Sequence, residues 1–91
     1  MMRKIKLTRA NKSILLKALA PYYYQQRALG HSTQEVGKLI LKINSLPAHK
    51  KAAFSTEKIF LMRSTINQLR NDQLAKGQYT DDADDMLLKL I

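Results

Sequence analysis

Residues 3–8, Arg3-Lys4-Ile5-Lys6-Leu7-Thr8, decide the fold of this chain. Ile5 and Leu7 alternate with basic and polar residues at the two-residue period of a strand, and the same six residues would serve equally as a disordered basic arm. C-terminal to them the apolar residues recur at helical spacing. The sequence therefore predicts an all-α fold, a small bundle of four to five helices, with a short basic N-terminal strand or arm attached.

The first helical pattern runs from about Asn11 to Leu29 and places Leu15, Leu19, Tyr22, Gln26 and Leu29 on one side. Pro21 lies inside it and removes a backbone donor, which predicts a kink, or a break into 11–19 and 21–29, with Gly30 ending the pattern. Ser32 and Glu35 have the spacing of a capping box, opening a helix that buries Val36, Leu39, Ile40 and Ile43 and ends near Leu46. Pro47 suits a first helical position, so residues 47–54 read as a short third helix. From Ser55 a long pattern follows, Ile59, Met62, Ile66, Leu69 and Gln73, broadened by Phe60 and Leu74 and stopped by Gly77. Thr80 then caps an acidic helix whose apolar side is Ala83, Met86, Leu87 and Leu90. The expected organisation is a single helical domain over 1–91, with 1–10 as basic arm or strand and 78–91 as acidic C-terminal helix.

A chain of 91 residues buries roughly 60–65% of its unfolded surface, so the core is thin, and with no cysteine nothing staples it. No apolar run approaches the roughly 20 residues of a membrane span, and the N-terminus lacks the apolar stretch of a signal peptide. The expectation is a soluble, cytoplasmic protein with no membrane partner.

Charge is the strongest global signal. Sixteen Lys and Arg stand against seven Asp and Glu, a formal net charge of +9. Residues 1–31 hold Arg3, Lys4, Lys6, Arg9, Lys12, Lys17 and Arg27 with no acid, while Asp81, Asp82, Asp84 and Asp85 reverse the sign near the end. A field of this kind attracts polyanions, because each phosphate neutralised releases counterions.

Catalytic chemistry finds no constellation to rest on. With no Cys, and with His31 and His49 far apart, a soft-ligand metal site is not indicated, and no cofactor is implied. Gly30, Gly37 and Gly77 have no phosphate-loop spacing. The four aspartates are explained by their place at the positive end of a helix. The expectation is a non-enzymatic protein.

Two readings lead to nucleic acid, DNA before RNA. In one, helices 33–44 and 47–54 form a helix-turn-helix pair that brings His49, Lys50 and Lys51 to the duplex, holding phosphate more readily than reading bases. In the other, the basic Arg3–Thr8 segment, a helix, and then Gly30-His31-Ser32-Thr33-Gln34-Glu35-Val36 together resemble the ribbon-helix-helix repressor family over about the first 45 residues. That resemblance implies a homodimer placing Lys4, Lys6 and Thr8 in the major groove, with Ser32 on phosphate; the longer first helix with its Pro21 departs from the pattern. In the triplet Tyr22-Tyr23-Tyr24, the helical wheel sends Tyr22 to the core and Tyr23 to its margin. Tyr24 points toward the side of Lys17 and Arg27, where a ring can stack on a base.

The candidate nucleic-acid-binding residues are thus Arg3, Lys4, Lys6, Arg9, Lys12, Lys17, Tyr24, Arg27, Lys50 and Lys51, in a DNA-binding regulator or accessory factor. The rival class is an inhibitor or adaptor docking on a partner protein through helix 56–76 and the acidic helix. A third expectation has Asp81 to Asp85 shield the basic body and compete with the polyanion.

Overall fold

A computed structural model describes all 91 residues. Strand β1 (Met2–Lys6) leads into helix α1 (Arg9–Ala28) and helix α2 (Gln34–Ser45). Strand β2 (Lys51–Ser55), helix α3 (Thr56–Ala75) and helix α4 (Asp81–Leu90) complete the chain. The protein is mostly helical, four helices with a two-stranded antiparallel ribbon set against them. No helix is long and apolar enough to cross a membrane.

The N-terminal segment is a strand, and its partner comes from the same chain. β1 and β2 align Met2 with Ser55, Arg3 with Phe54, Lys4 with Ala53, Ile5 with Ala52 and Lys6 with Lys51. Backbone bonds close both ends of the ribbon: His49 N donates to Leu7 O at 2.8 Å and Thr56 N to Met1 O at 3.2 Å. The expectation of a helix over 47–54 is therefore overturned, and with it the helix-turn-helix pair. A helix of eight residues gains little from propensity alone. Pairing with β1 satisfies the ladder groups of both segments and buries the Phe54 ring to 1% exposure, a burial worth about 2–3 kcal/mol. The turn into β2 puts His49 in the left-handed region, at φ 67°. The ribbon implied by the repressor resemblance also changes character, since here both strands belong to one protomer.

Helix α1 runs unbroken through Pro21. Leu15, Ala18 and Leu19 before the proline are buried, and Tyr22 and Tyr23 after it pack on the same core, so tertiary contacts on both sides outweigh the missing hydrogen bond. The buried face is Asn11, Ile14, Leu15, Ala18 and Leu19, turned from the expected one, and Leu29 is exposed where the helix outruns its neighbours. At its start Thr8 and Asn11 form a reciprocal cap: Asn11 N donates to Thr8 Oγ1 and Thr8 N to Asn11 Oδ1, both at 3.0 Å.

Helix α2 buries Val36, Leu39 and Ile43, leaving Ile40 half-buried. Its expected capping box does not form. Thr33 is the cap residue without a side-chain bond, and Glu35 turns instead to Lys58 of α3 at 2.8 Å. That pairing, aided by Lys38, holds the Glu35 carboxyl below its usual range. Helix α3 is capped by Ser55, whose Oγ accepts from Lys58 N at 3.3 Å. Its buried line is Ile59, Met62, Thr65, Ile66 and Gln73; Phe60 and Leu74 face solvent rather than widening the stripe. Gly77 follows at φ 67°, a conformation open to glycine. Helix α4 begins after Thr80 as expected, but the Thr80 hydroxyl donates to Asp84 Oδ2 at 2.8 Å instead of capping.

One hydrophobic cluster of sixteen residues joins all six elements, with Ile5 and Phe54 from the ribbon and Ala83, Met86 and Leu90 from α4. The acidic helix is thus a wall of the core.

Candidate nucleic-acid interface

Successive side chains of a strand point to opposite faces. In the ribbon, Ile5 and Phe54 lie on the face toward the helices, and Met2, Lys4, Lys6, Lys51, Ala53 and Ser55 make up the other. Lys4, Lys6 and Lys51 therefore share one outward face, with Lys50 immediately before it; all four are exposed. Lys6 stands directly opposite Lys51. Like charges in that position oppose pairing. Neither lysine has a compensating acid: the two ion pairs of the molecule are Lys58–Glu35 and Arg70–Asp84.

The structure brings together residues that the sequence assigned to separate devices. Lys4 and Lys6 were expected on a strand or arm, Lys50 and Lys51 on a helix, and β-pairing makes them one cationic surface. Arg9, exposed in the first turn of α1, follows the ribbon after Leu7 and Thr8.

The remaining candidates go elsewhere. Arg3, on the inward side, donates to Leu90 O at 3.3 Å and to Lys89 O, satisfying the C-terminal carbonyls of α4 and complementing its dipole. Lys12 Nζ does the same for α2, donating to Leu46 O at 2.5 Å and Asn44 O at 3.4 Å. Lys17 lies among acids, sharing one groove with Asp72 and another with Asp81 and Asp82. Tyr24 and Arg27 sit near the far end of α1, about 22–27 Å along the helix from Arg9. Tyr24 is 64% exposed and meets Tyr23 edge to face at 5.4 Å. It borders an apolar groove between α1 and α2, lined also by Tyr23, Gly37, Lys38, Ile40 and Leu41.

Sequence reasoning missed the residues that hold the ribbon in place. Lys42 of α2 donates to Ala53 O and lies 4.4 Å from the Phe54 ring centroid. Lys89 of α4 donates to Lys6 O at 3.0 Å and to the buried Asn11 Oδ1 at 2.5 Å. These are contacts distant in sequence, and no local signal marks them. The Thr8/Asn11 cap was legible as a threonine with a side-chain acceptor three residues on.

At the opposite end of α4 Asp81 and Asp82 are exposed, as is Asp85 midway along the helix. Asp84 accepts from Arg70 Nε at 2.5 Å, and this bond, with the one from Thr80, holds its carboxyl below the usual aspartate range. No three His, Cys, Asp or Glu side chains gather in a metal-binding arrangement. In comparison with known proteins, no family model, curated protein or solved structure matches this chain.

Proposed function

We propose that this chain is a non-enzymatic DNA-binding protein, a regulator or accessory factor that presents the outer face of its β-ribbon to the duplex. The observation that carries the reading is the facing pair Lys6 and Lys51, flanked by Lys4 and Lys50 and left without an acid. A fold that tolerates repulsion across a two-stranded ribbon gains from an anion that relieves it. The major groove of B-form DNA, about 12 Å wide, admits a two-stranded ribbon, whereas the deep, narrow major groove of duplex RNA does not. The ribbon is complete within one chain, so this reading asks for no second copy.

The test is a titration of labelled duplex DNA with the wild type and with a variant carrying Lys4→Ala, Lys6→Ala, Lys50→Ala and Lys51→Ala. All four side chains are exposed, so the variant is expected to keep its helical circular dichroism while losing most of its affinity. A folded variant that binds like the wild type refutes the ribbon as the interface.

The second reading, docking on a protein, rests on the groove between α1 and α2. Its lining is apolar at Tyr23, Tyr24, Ile40 and Leu41 and its one charged residue is Lys38, which suits an amphipathic partner helix of acidic character. A pull-down with and without nuclease separates the two: capture that survives nuclease and is lost in Tyr24→Ala favours the groove.

A further inference from the structure

Resting on the DNA-binding reading, we propose a specific mode for it: seated at the major groove of double-stranded DNA, the ribbon grips the phosphates that border the groove and does not read base sequence. The chemistry of the outward face carries this. Of its six residues, three are lysines, Met2 and Ala53 offer no hydrogen bond, and the Ser55 hydroxyl is engaged as the cap of α3. Base discrimination in the major groove comes chiefly from Arg on guanine and from Asn or Gln on adenine, through paired hydrogen bonds that a lysine ammonium does not reproduce with the same geometry. The one arginine of the strands, Arg3, lies on the inward side, its guanidinium committed to the end of α4.

The same face argues against single strands. Proteins that hold single-stranded nucleic acid lay its bases on aromatic rings. No aromatic residue stands on the outward side of the ribbon: its one ring, Phe54, is buried beneath it under the Lys42 ammonium. What the surface does offer is charge at regular intervals. Lys4 and Lys6 are two residues apart on one strand, about 6.8 Å. Lys51 is directly across from Lys6, about 5 Å away between side-chain origins, and Lys50 adjoins it. This is a small lattice of point charges, spaced on the scale of successive phosphates and held by Lys42 and Lys89 from the helices behind.

Such a contact has a numerical signature. Four lysines neutralising four phosphates give a slope of about −3.6 for log affinity against log salt, which is a loss of about 150-fold between 50 and 200 mM. Each single Lys→Ala change in the ribbon should reduce the steepness by about 0.9, equally on every duplex.

The experiment measures wild-type affinity, across that salt range, for two duplexes of unrelated sequence and equal length and for a single strand of the same length. It repeats the series with Lys4→Ala, Lys6→Ala and Lys51→Ala singly. The expected result is affinities for the two duplexes within about threefold, weaker binding to the single strand, and a shallower slope in each variant. A preference of tenfold or more for one duplex, tighter binding to the single strand, or slopes unchanged in the variants overturns the backbone mode while leaving DNA binding in place. Failure of the wild type to bind any of the three probes removes the DNA-binding reading and this one with it.

Discussion

Lys6 and Lys51 face one another across the ribbon, and no acid is placed to separate them. A cross-strand pair of like charges costs stability where an uncharged β-former would not. If the pair serves a ligand and not the fold, removing one partner should stabilise the free protein while weakening its binding. Lys6→Thr is accordingly expected to raise the unfolding free energy by about 0.2–1 kcal/mol in low-salt urea titrations, with the gain shrinking as salt is added. A loss of stability in Lys6→Thr would mean that the Lys6 side chain supports the fold, and the surface would lose its functional signature. Arg3 shows why charge alone does not identify such a residue. It stands three places before Lys6 in the same basic run, yet its guanidinium is used up on the carbonyls of Lys89 and Leu90.

At the scale of elements, the helices were largely legible and the second strand was not. β1 was one of two readings, strand or arm, left open by the alternation of Ile5 and Leu7 with basic and polar residues. β2 contains Ala52 and Ala53 after two lysines, residues with no preference for a strand, and it becomes one because β1 lies beside it. The pairing joins Met2 to Ser55, so the deciding partner is outside any local window. The candidate site inherited the same blind spot: each lysine was named as a candidate, while the surface that unites them depends on the pairing. The tie between α3 and α4 was equally hidden. Arg70 Nε meets Asp84 Oδ1 at 2.5 Å, and Thr80 donates to the same carboxylate. With its carboxyl held below the usual range in the folded state, Asp84 contributes stability that is fully present above the ordinary aspartate pKa. That contribution is lost as pH falls through the lowered folded value, because the unfolded chain takes up the proton first. Asp84→Asn should therefore lower the urea midpoint at neutral pH, and the difference from wild type should vanish in strong acid. A difference that persists undiminished there would assign the effect to packing instead of charge.

Considered as a whole, the molecule carries its opposing charges at the two ends of α4. The basic ribbon meets the C-terminal end through Arg3 and Lys89, and the exposed Asp81 and Asp82 lie about 12–14 Å away at the other, while Asp85 stands mid-helix. A mobile acidic tail could be cut off to test whether it shields the basic surface. This one cannot, since Ala83, Met86 and Leu90 are core residues at 0–1% exposure and their removal opens the interior. Charge can instead be removed in place. The double change Asp81→Asn and Asp82→Asn takes two negative charges from a chain of net charge +9 without touching a buried side chain or the Arg70–Asp84 bond. Over about 12–14 Å of helix, Asp81 and Asp82 are felt at the ribbon when the screening length is about 30 Å, at 0.01 M salt, and are strongly screened when it is about 8 Å, at 0.15 M. If they act on DNA through the field alone, the variant should bind the duplex several-fold more tightly at the lower salt and within error of wild type at the higher. Equal affinity at both salts would remove the acids from the binding energetics and leave them their local part, which is to complement the positive end of α4. A gain that survives at 0.15 M would instead require the acids to approach the DNA directly, placing α4 at the interface beside the ribbon.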